Sequence, residues 1–382
     1  MKNVRTLQMF FAGTFAAVAL IGCGKSADTQ IDNSVKDNQT AQTKIEWENS
    51  PAHPEVLFEE WRQEASQDAE RAATLKSEIC GKLTQLEGEA LTIFEEEINS
   101  EENVGLLESC KPALKEQLEI YYADQRSRLA VAVNANVRVG SKNGFKFPDN
   151  VQYRDMSRGY FAVTGDVGPK EVVLTFDDGP NGVYTPSILR SLKEVNAKAV
   201  FFALGKAVRA NPDTLKMVAA DGHTVGSHSN SHKCIGTRSN CKGSNGGRVM
   251  TFAEASAEIR AGHQAVYDAV GFVDPFFRFP FGESSPELKS FLKESSTGEF
   301  YWSIDSNDWK AQSNDQLLRT TLEQIEKRGR GNVLFHDIQR KTAETLPAFL
   351  RELHSRGYSV VLLKASDANA RYNSKLVRKK LP

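Results

Sequence analysis

The sequence has almost no net charge: 48 Lys and Arg stand against 49 Asp and Glu, a formal balance of −1. Without a global field of either sign, nothing argues for a nucleic-acid partner or for attraction to an anionic membrane surface. It also lacks a long hydrophobic run. The apolar stretch Met9 to Leu20 is too short to span a bilayer permanently. Cysteine is scarce, with five in 382 residues.

What surrounds that short apolar stretch gives it a meaning. Lys2 and Arg5 supply a positive start, and Leu20-Ile21-Gly22-Cys23 a small-residue cleavage region, so 1–23 reads as an export signal. The last four residues resemble the lipobox of bacterial lipoproteins. That implies a mature chain lipid-anchored at Cys23 in the cell envelope or periplasm, with plain secretion as the alternative. In an oxidising compartment Cys80, Cys110, Cys234 and Cys241 form an even set open to three connectivities. Sequence proximity favours Cys80 with Cys110 and Cys234 with Cys241.

Residues 24–50 have hardly any large apolar side chain and form a disordered tether. Over 51–130 apolar residues recur at spacings of three and four, from Leu57 and Trp61 to Leu75 and Ile79. They predict three amphipathic helices, at about 55–79, 81–98 and 103–128. No catalytic constellation appears in this bundle. A connecting segment, 131–168, opens with alternation that predicts a strand over Ala130–Arg138 and continues into a turn region, Gly140–Pro148. The basic tail, 367–382, reads as a solvated end.

From Gly168 the period changes. Strand-like runs occur at Glu171–Phe176, Ala199–Leu204, His223–Ser227, Pro275–Phe279, Phe300–Ile304, Asn332–Phe335 and Ser359–Leu363. Helices begin between them near Pro186, Pro212, Phe252, Pro286, Asp315 and Thr342. Repeated βα units mean a parallel sheet, and right-handed crossovers in that number close most readily into a barrel. The expectation is an α/β fold: a distorted seven-stranded (β/α) barrel over 169–366, preceded by the small helical domain. A doubly wound open sheet is the alternative.

The strand ends carry the chemistry. The first run stops in Asp177 and Asp178, which are too costly to bury without a counter-charge and so belong at the strand's mouth. The third ends in His228-Ser229-Asn230-Ser231-His232. On a turn of helix, histidines four apart point the same way, about 6 Å apart, and both reach one metal ion. Asp with two His is an open three-ligand set with room for water. The fourth strand ends in Arg278-Phe279-Pro280-Phe281-Gly282, where an arginine in so apolar a run needs a carboxylate partner, Asp177 being the natural one. The fifth ends in Asp305-Ser306-Asn307-Asp308-Trp309 and the sixth in Leu334-Phe335-His336-Asp337, which brings a possible proton donor, His336, to the same rim.

In order and spacing, TFDDG, HSNSH, RFPFG, DSNDW and LFHD resemble the five motifs of the polysaccharide deacetylase family, the NodB-homology domain of carbohydrate esterase family four. The resemblance covers about 171–363; export and the lipobox, which would put the chain beside the wall, point to the peptidoglycan N-acetylglucosamine deacetylase type. It implies hydrolysis of N-acetyl, less often O-acetyl, groups on polysaccharides with a divalent metal, zinc as a rule and cobalt as an option. Carried over by position, Asp178, His228 and His232 would hold the metal, Asp177 would be the general base and His336 the general acid. Arg278 would orient Asp177 and Asp308 would hold His336 charged. The backbone N–H of Phe281 would face the oxyanion, and Trp309 and Leu334 would wall a methyl pocket. Phe281 departs from the family's usual tyrosine. The loop holding Cys234 and Cys241 is extended, and Cys234, two residues past His232, is either a further ligand or half of a loop-closing disulfide. Peptidoglycan, chitooligosaccharides, an exopolysaccharide and acetylxylan all fit as substrate. A glycan-binding module without turnover is the rival.

Overall fold

Alternation along the first strand-like run decides where the inside of the barrel lies. The computed structural model describes residues 74, 77, 80, 91, 94, 95, 110–138, 144–236, 241 and 248–379. In it this run is the third strand among the described residues, β3 (Glu171–Asp177), preceded by β1 (Val151–Arg154) and β2 (Phe161–Ala162). Val172, Leu174 and Phe176 pack outward against the helices, whereas Val173 joins Phe202, Phe276, Phe300 and Leu363 in a separate interior cluster. Thr175 and Asp177 follow Val173 at the strand period of two and continue the interior face upward.

The remaining strands are β4 (Val200–Ala203), β5 (Thr224–Ser227), β6 (Phe276–Phe277), β7 (Gly298–Phe300), β8 (Ile304–Asp305), β9 (Gly331–His336), β10 (Ser359–Val360) and β11 (Leu362–Ala365). All pairings are parallel, in the order β2-β7-β6-β5-β4-β3-β9-β8. β10 pairs with the first residues of β3, and β11 with β1. β7 and β8 stand toward opposite ends of that order, yet only Tyr301, Trp302 and Ser303 separate them. The link from Phe300 to Ile304 spans at most about 14 Å, so the sheet must curl until its edges nearly meet. The expected distorted barrel is therefore present. Its fifth strand is two pieces, because the chain leaves β6 for β9 midway and forms the break in the wall.

Helices alternate with the strands: α1 (Lys111–Arg138) precedes the barrel, and α2 (Tyr184–Glu194), α3 (Gly205–Ala210), α4 (Pro212–Ala220), α5 (Phe252–Val270), α6 (Pro286–Glu294), α7 (Asn314–Arg328) and α8 (Arg340–Ser355) surround it. Their ends are written in the sequence. Thr251 and Glu254 form a reciprocal capping box at α5, Ser285 and Ser313 cap α6 and α7, and Gly271 and Gly329 close α5 and α7 in the left-handed conformation. Outside the sheet, Phe176 stacks between Phe201 and Phe335, with ring centroids 5.0 and 5.8 Å apart. Each such ring contributes up to about 3 kcal/mol of burial.

Two expectations are corrected. The strand over Ala130–Arg138 is instead the end of α1: the alternation there is Ala with Val or Asn, no breaker occurs before Gly140, and Leu129 is locked into the core that α1 shares with the barrel. The basic tail is not a solvated end. Leu376 is buried among Ile235, Phe279 and Phe291, and Arg371 pairs with Asp274 at 3.2 Å. The connecting segment also holds β1 and β2. The export signal, Cys23 and the tether lie outside the described residues, as do most of the first two predicted helices. Of those helices and the residue between them, Thr74, Ser77, Cys80, Leu91, Phe94 and Glu95 are described, and all are helical. Both expected disulfides, Cys80 with Cys110 and Cys234 with Cys241, are formed. Among the described residues no helix is long and apolar enough to cross a membrane.

Candidate functional site

The interior face that holds Phe276 next presents Arg278, two residues on and wholly buried. Its guanidinium lies 4.4 Å from the centre of the Phe202 ring. A charge there needs a partner, and Arg278 Nη1 donates to Asp177 Oδ1 at 2.6 Å and to Thr175 Oγ1 at 2.8 Å. Nε and Nη2 donate to the carbonyls of Phe300 and Tyr301, the strand edge where the wall breaks. Burial raises the Asp177 carboxyl, against the pull of Arg278, to about 6.

Parallel register places His336 level with Asp177 on the neighbouring strand. His336 Nδ1 donates to Asp308 Oδ1 at 2.7 Å, while Asp308 Oδ2 accepts from the His336 backbone N–H and from Thr342 Oγ1. Burial disfavours the charged imidazole, but Asp308 and then Asp178 and Asp177 overcome it and raise His336 to about 10. It stays protonated at neutral pH, with Nε2 turned toward Asp178 Oδ2, 3.9 Å away.

Between these two pairs lie Asp178, His228 and His232. Asp178 sits one residue past the strand at φ 74°. His228 Nδ1 donates to the Arg278 carbonyl at 2.7 Å, which leaves its Nε2 lone pair facing inward. The Nε2 atoms of both histidines lie 3.5 Å from Asp178 Oδ1. Burial depresses both imidazoles to about 4, so they stand neutral as ligands must. Asp178 opposes its own burial cost with the neighbouring His232, His336 and His228, which hold it below the usual carboxylate value.

Whether these residues suit a divalent cation is answered by one atom. Asp178 Oδ1 is buried without a hydrogen-bond partner, although a buried carboxylate oxygen normally finds one. The three ligand atoms lie within 4.8 Å of one another, and one carboxylate with two neutral imidazoles is a donor set that zinc and cobalt accept. The residues fit the ion. Cys234 takes no part, being disulfide-bonded to Cys241.

The histidines converge by a route other than the one expected. Residues 228–232 are not helical; Ser229 and His232 have φ of 72° and 61°, and the left-handed turns swing His232 back toward His228. Their rings end with centroids 5.0 Å apart. Phe281 has φ 58° within a short 3-10 turn, Pro280–Gly282, its ring half exposed and 4.6 Å from that of His232. Leu334 is buried two residues before His336 on the same strand face, and Trp309 stands exposed one residue past Asp308. All seven polar residues expected at the site thus converge. Thr175, Thr342 and the pair Ser231 and Glu258 were not anticipated. Thr175 was legible, since it precedes Asp177 by the strand period; Thr342 and Glu258 come from helices whose angular setting no motif reports.

A curled parallel barrel with an Asp/His/His cluster flanked by an Arg-held carboxylate and an Asp-held imidazole defines a metal-assisted hydrolase of the polysaccharide deacetylase class. The comparisons agree, for residues 164–296 match the polysaccharide deacetylase family. The structure is similar to that of a Bdellovibrio bacteriovorus peptidoglycan deacetylase, Bd3279, at 55% identity and a TM-score of 0.61, over 91% of this chain and 97% of that one. The sequence is 34% identical over 194 residues to the peptidoglycan-N-acetylglucosamine deacetylase PgdA of Listeria monocytogenes, covering 51% of this chain and 38% of the relative. It is 33% identical over 199 residues to the peptidoglycan-N-acetylmuramic acid deacetylase PdaC of Bacillus subtilis, covering 52% and 39%. The chain spans about four tenths of the length of these two curated relatives. It belongs to the polysaccharide deacetylase family.

Proposed function

We propose that this protein hydrolyses N-acetyl groups on amino sugars of peptidoglycan, with Asp178, His228 and His232 holding a divalent cation, zinc or cobalt. The observation that carries the reading is the partnerless Asp178 Oδ1 between two inward-facing imidazoles, with a base on one side and an acid on the other. When bound, such a cation supplies Lewis acidity to water and to the acetyl carbonyl.

The chain's own residues do the rest. Arg278 occupies Asp177 Oδ1, so Oδ2 is the atom that takes a proton from the attacking water. As water oxygen bonds to the acetyl carbon, negative charge develops on the former carbonyl oxygen, and the backbone N–H of Phe281 faces it. His336 Nε2–H then gives its proton to the sugar nitrogen while the C–N bond breaks, since an amide anion is too poor a leaving group to depart unaided. Acetate and a free amino sugar result. Leu334 and Trp309 border the space for the acetyl methyl group.

The names of the relatives support a wall polymer as substrate, and they divide between N-acetylglucosamine and N-acetylmuramic acid. N-acetylglucosamine is the expected position here. An exported protein lipid-anchored at Cys23 would meet that polymer in the envelope. The test is acetate release from peptidoglycan and from N-acetylglucosamine oligomers by zinc-loaded protein, with Asp177→Asn as control. Binding of these glycans with no acetate released would instead make the protein a glycan-binding module.

A further inference from the structure

The loop that carries both histidines holds two strained residues, and what keeps it in place lies outside the motifs. Ser229 and His232 in the left-handed region cost about 1–3 kcal/mol each, a conformation that persists only when its surroundings impose it. The backbone between them is held from two sides. From α3, the N–H groups of Gly205 and Lys206 donate to the carbonyls of Ser229 and Asn230 at 3.0 and 2.9 Å. From α5, Glu258 accepts the Ser231 backbone N–H at 2.9 Å and the Ser231 hydroxyl at 3.0 Å.

Glu258 is an unusual group to find there. Its carboxylate is buried, and among the described residues no Lys, Arg or His pairs with it. Burial of a charge is costly unless bonds offset it, and its recorded hydrogen bonds are all to Ser231, the residue just before His232. One turn along the same helix face lies Gly262, where a Cβ would collide with the Ser229 carbonyl. The helix is therefore pressed against the loop at Gly262 and hydrogen-bonded to it at Glu258. With Ser231 fixed, His232 Nε2 is held 3.5 Å from Asp178 Oδ1.

We propose that Glu258 is a positioning residue for the cation site: by gripping Ser231 it fixes the backbone between His228 and His232 and holds His232 in ligating position. This rests on the reading of Asp178, His228 and His232 as ligands. His228 has a separate brace in the Arg278 carbonyl, so loss of Glu258 releases His232 and leaves His228 in place.

The experiment uses the full chain stripped of metal and titrated with Zn2+ against a chromophoric chelator, then with Co2+ by visible absorption. Outer-sphere supports of this kind are worth about 10–100-fold in metal affinity. Glu258→Ala is expected to weaken Zn2+ binding in that range and to lower the visible Co2+ absorption as His232 leaves the ion. Glu258→Asp, which keeps the carboxylate, recovers part of the loss. Ser231→Ala keeps the backbone bond and weakens binding less. The double variant Glu258→Ala/Ser231→Ala binds no more weakly than Glu258→Ala alone. Should Glu258→Ala fail to fold, Glu258→Gln and Ser231→Ala carry the test. Wild-type affinity and spectrum in the folded Glu258 variants, with only the melting temperature lowered, would overturn the proposal. Failure of the wild-type chain to bind either ion would instead overturn the ligand assignment.

Discussion

Replacing Arg278 with Gln isolates the charge that sets Asp177, the proposed base. Asp177 is buried and its carboxyl stands at about 6 because burial raises it while Arg278, 2.6 Å away, holds it down. Two unit charges about 4 Å apart at an effective dielectric near 20 interact by about 4 kcal/mol. At 1.36 kcal/mol per unit that is about 3 pKa units. A raised carboxyl is inactive as a base below its pKa, so the acid limb of kcat/KM in Arg278→Gln should move up by about 3 units. At pH 7 the ionised fraction then falls roughly 100-fold, and activity climbs tenfold per pH unit toward pH 9. A cation bound beside Asp177 lowers the limb in both proteins, which makes the difference between them the readout. Arg278→Lys keeps the charge but loses the fork that also reaches Phe300 and Tyr301, so its limb should stay within about one unit of wild type while kcat falls. The assay is acetate release from a soluble N-acetylglucosamine oligomer between pH 5 and 10, with thermal melts to establish folding. An unmoved limb in folded Arg278→Gln, or an equal shift in Arg278→Lys, would refute the reasoning.

Asp308→Asn removes the charge that keeps His336 protonated, so kcat at pH 8 should fall 100-fold or more with KM little changed; the alkaline limb should move to lower pH, and a rate profile identical to wild type counts against the assignment. Exhaustive chelation should abolish acetate release and Zn2+ or Co2+ restore it, while Asp178→Asn should bind neither ion tightly by equilibrium dialysis. His263 is buried with Nδ1 donating to the Ile259 carbonyl and Nε2 partnerless, and burial lowers it to about 4. Its stabilisation is complete above the unfolded value near 6.5 and is lost as pH falls toward 4, at up to about 1.4 kcal/mol per unit. Urea unfolding at pH 6.5 and 5 should therefore show a loss about 1.5 kcal/mol smaller in His263→Gln than in wild type. Leu376→Ala should cost about 2–5 kcal/mol if the tail is packed as described; a change under about 0.5 kcal/mol would return it to a solvated end.

How much of this was legible in sequence depends on which forces set each feature. The barrel was legible because each strand announces itself by apolar runs and each helix by Pro212, Pro286, Thr251 or Gly329 at its ends. The polar site residues were legible because a carboxylate or imidazole at the end of a buried strand has few other reasons to be there. The helical end of α1 was misread because Ala, Val and Asn alternate over 130–138, while packing of Leu129 against the barrel decides the matter. The split of β7 from β8 depends on closure of the whole sheet, which no local window contains. The shape of residues 228–232 escaped for a related reason: the spacing of two histidines fits a helical turn and a doubly left-handed loop equally well, and the partners that choose between them sit on α3 and α5.

The interior of the barrel explains why those ends suit the proposed chemistry. Val173, Phe202, Phe276 and Phe300 fill its lower part, so Arg278 and Asp177 close the lumen as a buried ion pair on an aromatic floor. Their mutual attraction is strong because water is excluded from below, and the same exclusion lifts Asp177 to a pKa at which it can both hold and release a proton near neutrality. At the upper rim His336 has Asp308 behind it and the carboxylates of Asp178 and Asp177 nearby, and it stays charged. Two groups a strand apart, level in register, are thus driven to opposite protonation states by what lies under one and around the other. The proposed division of base from acid does not come from the residue types alone. An Asp and a His facing solvent at these same positions would both be ionised only between about pH 4 and 6.5, and the pair would lose at pH 7 the proton that the leaving amine requires.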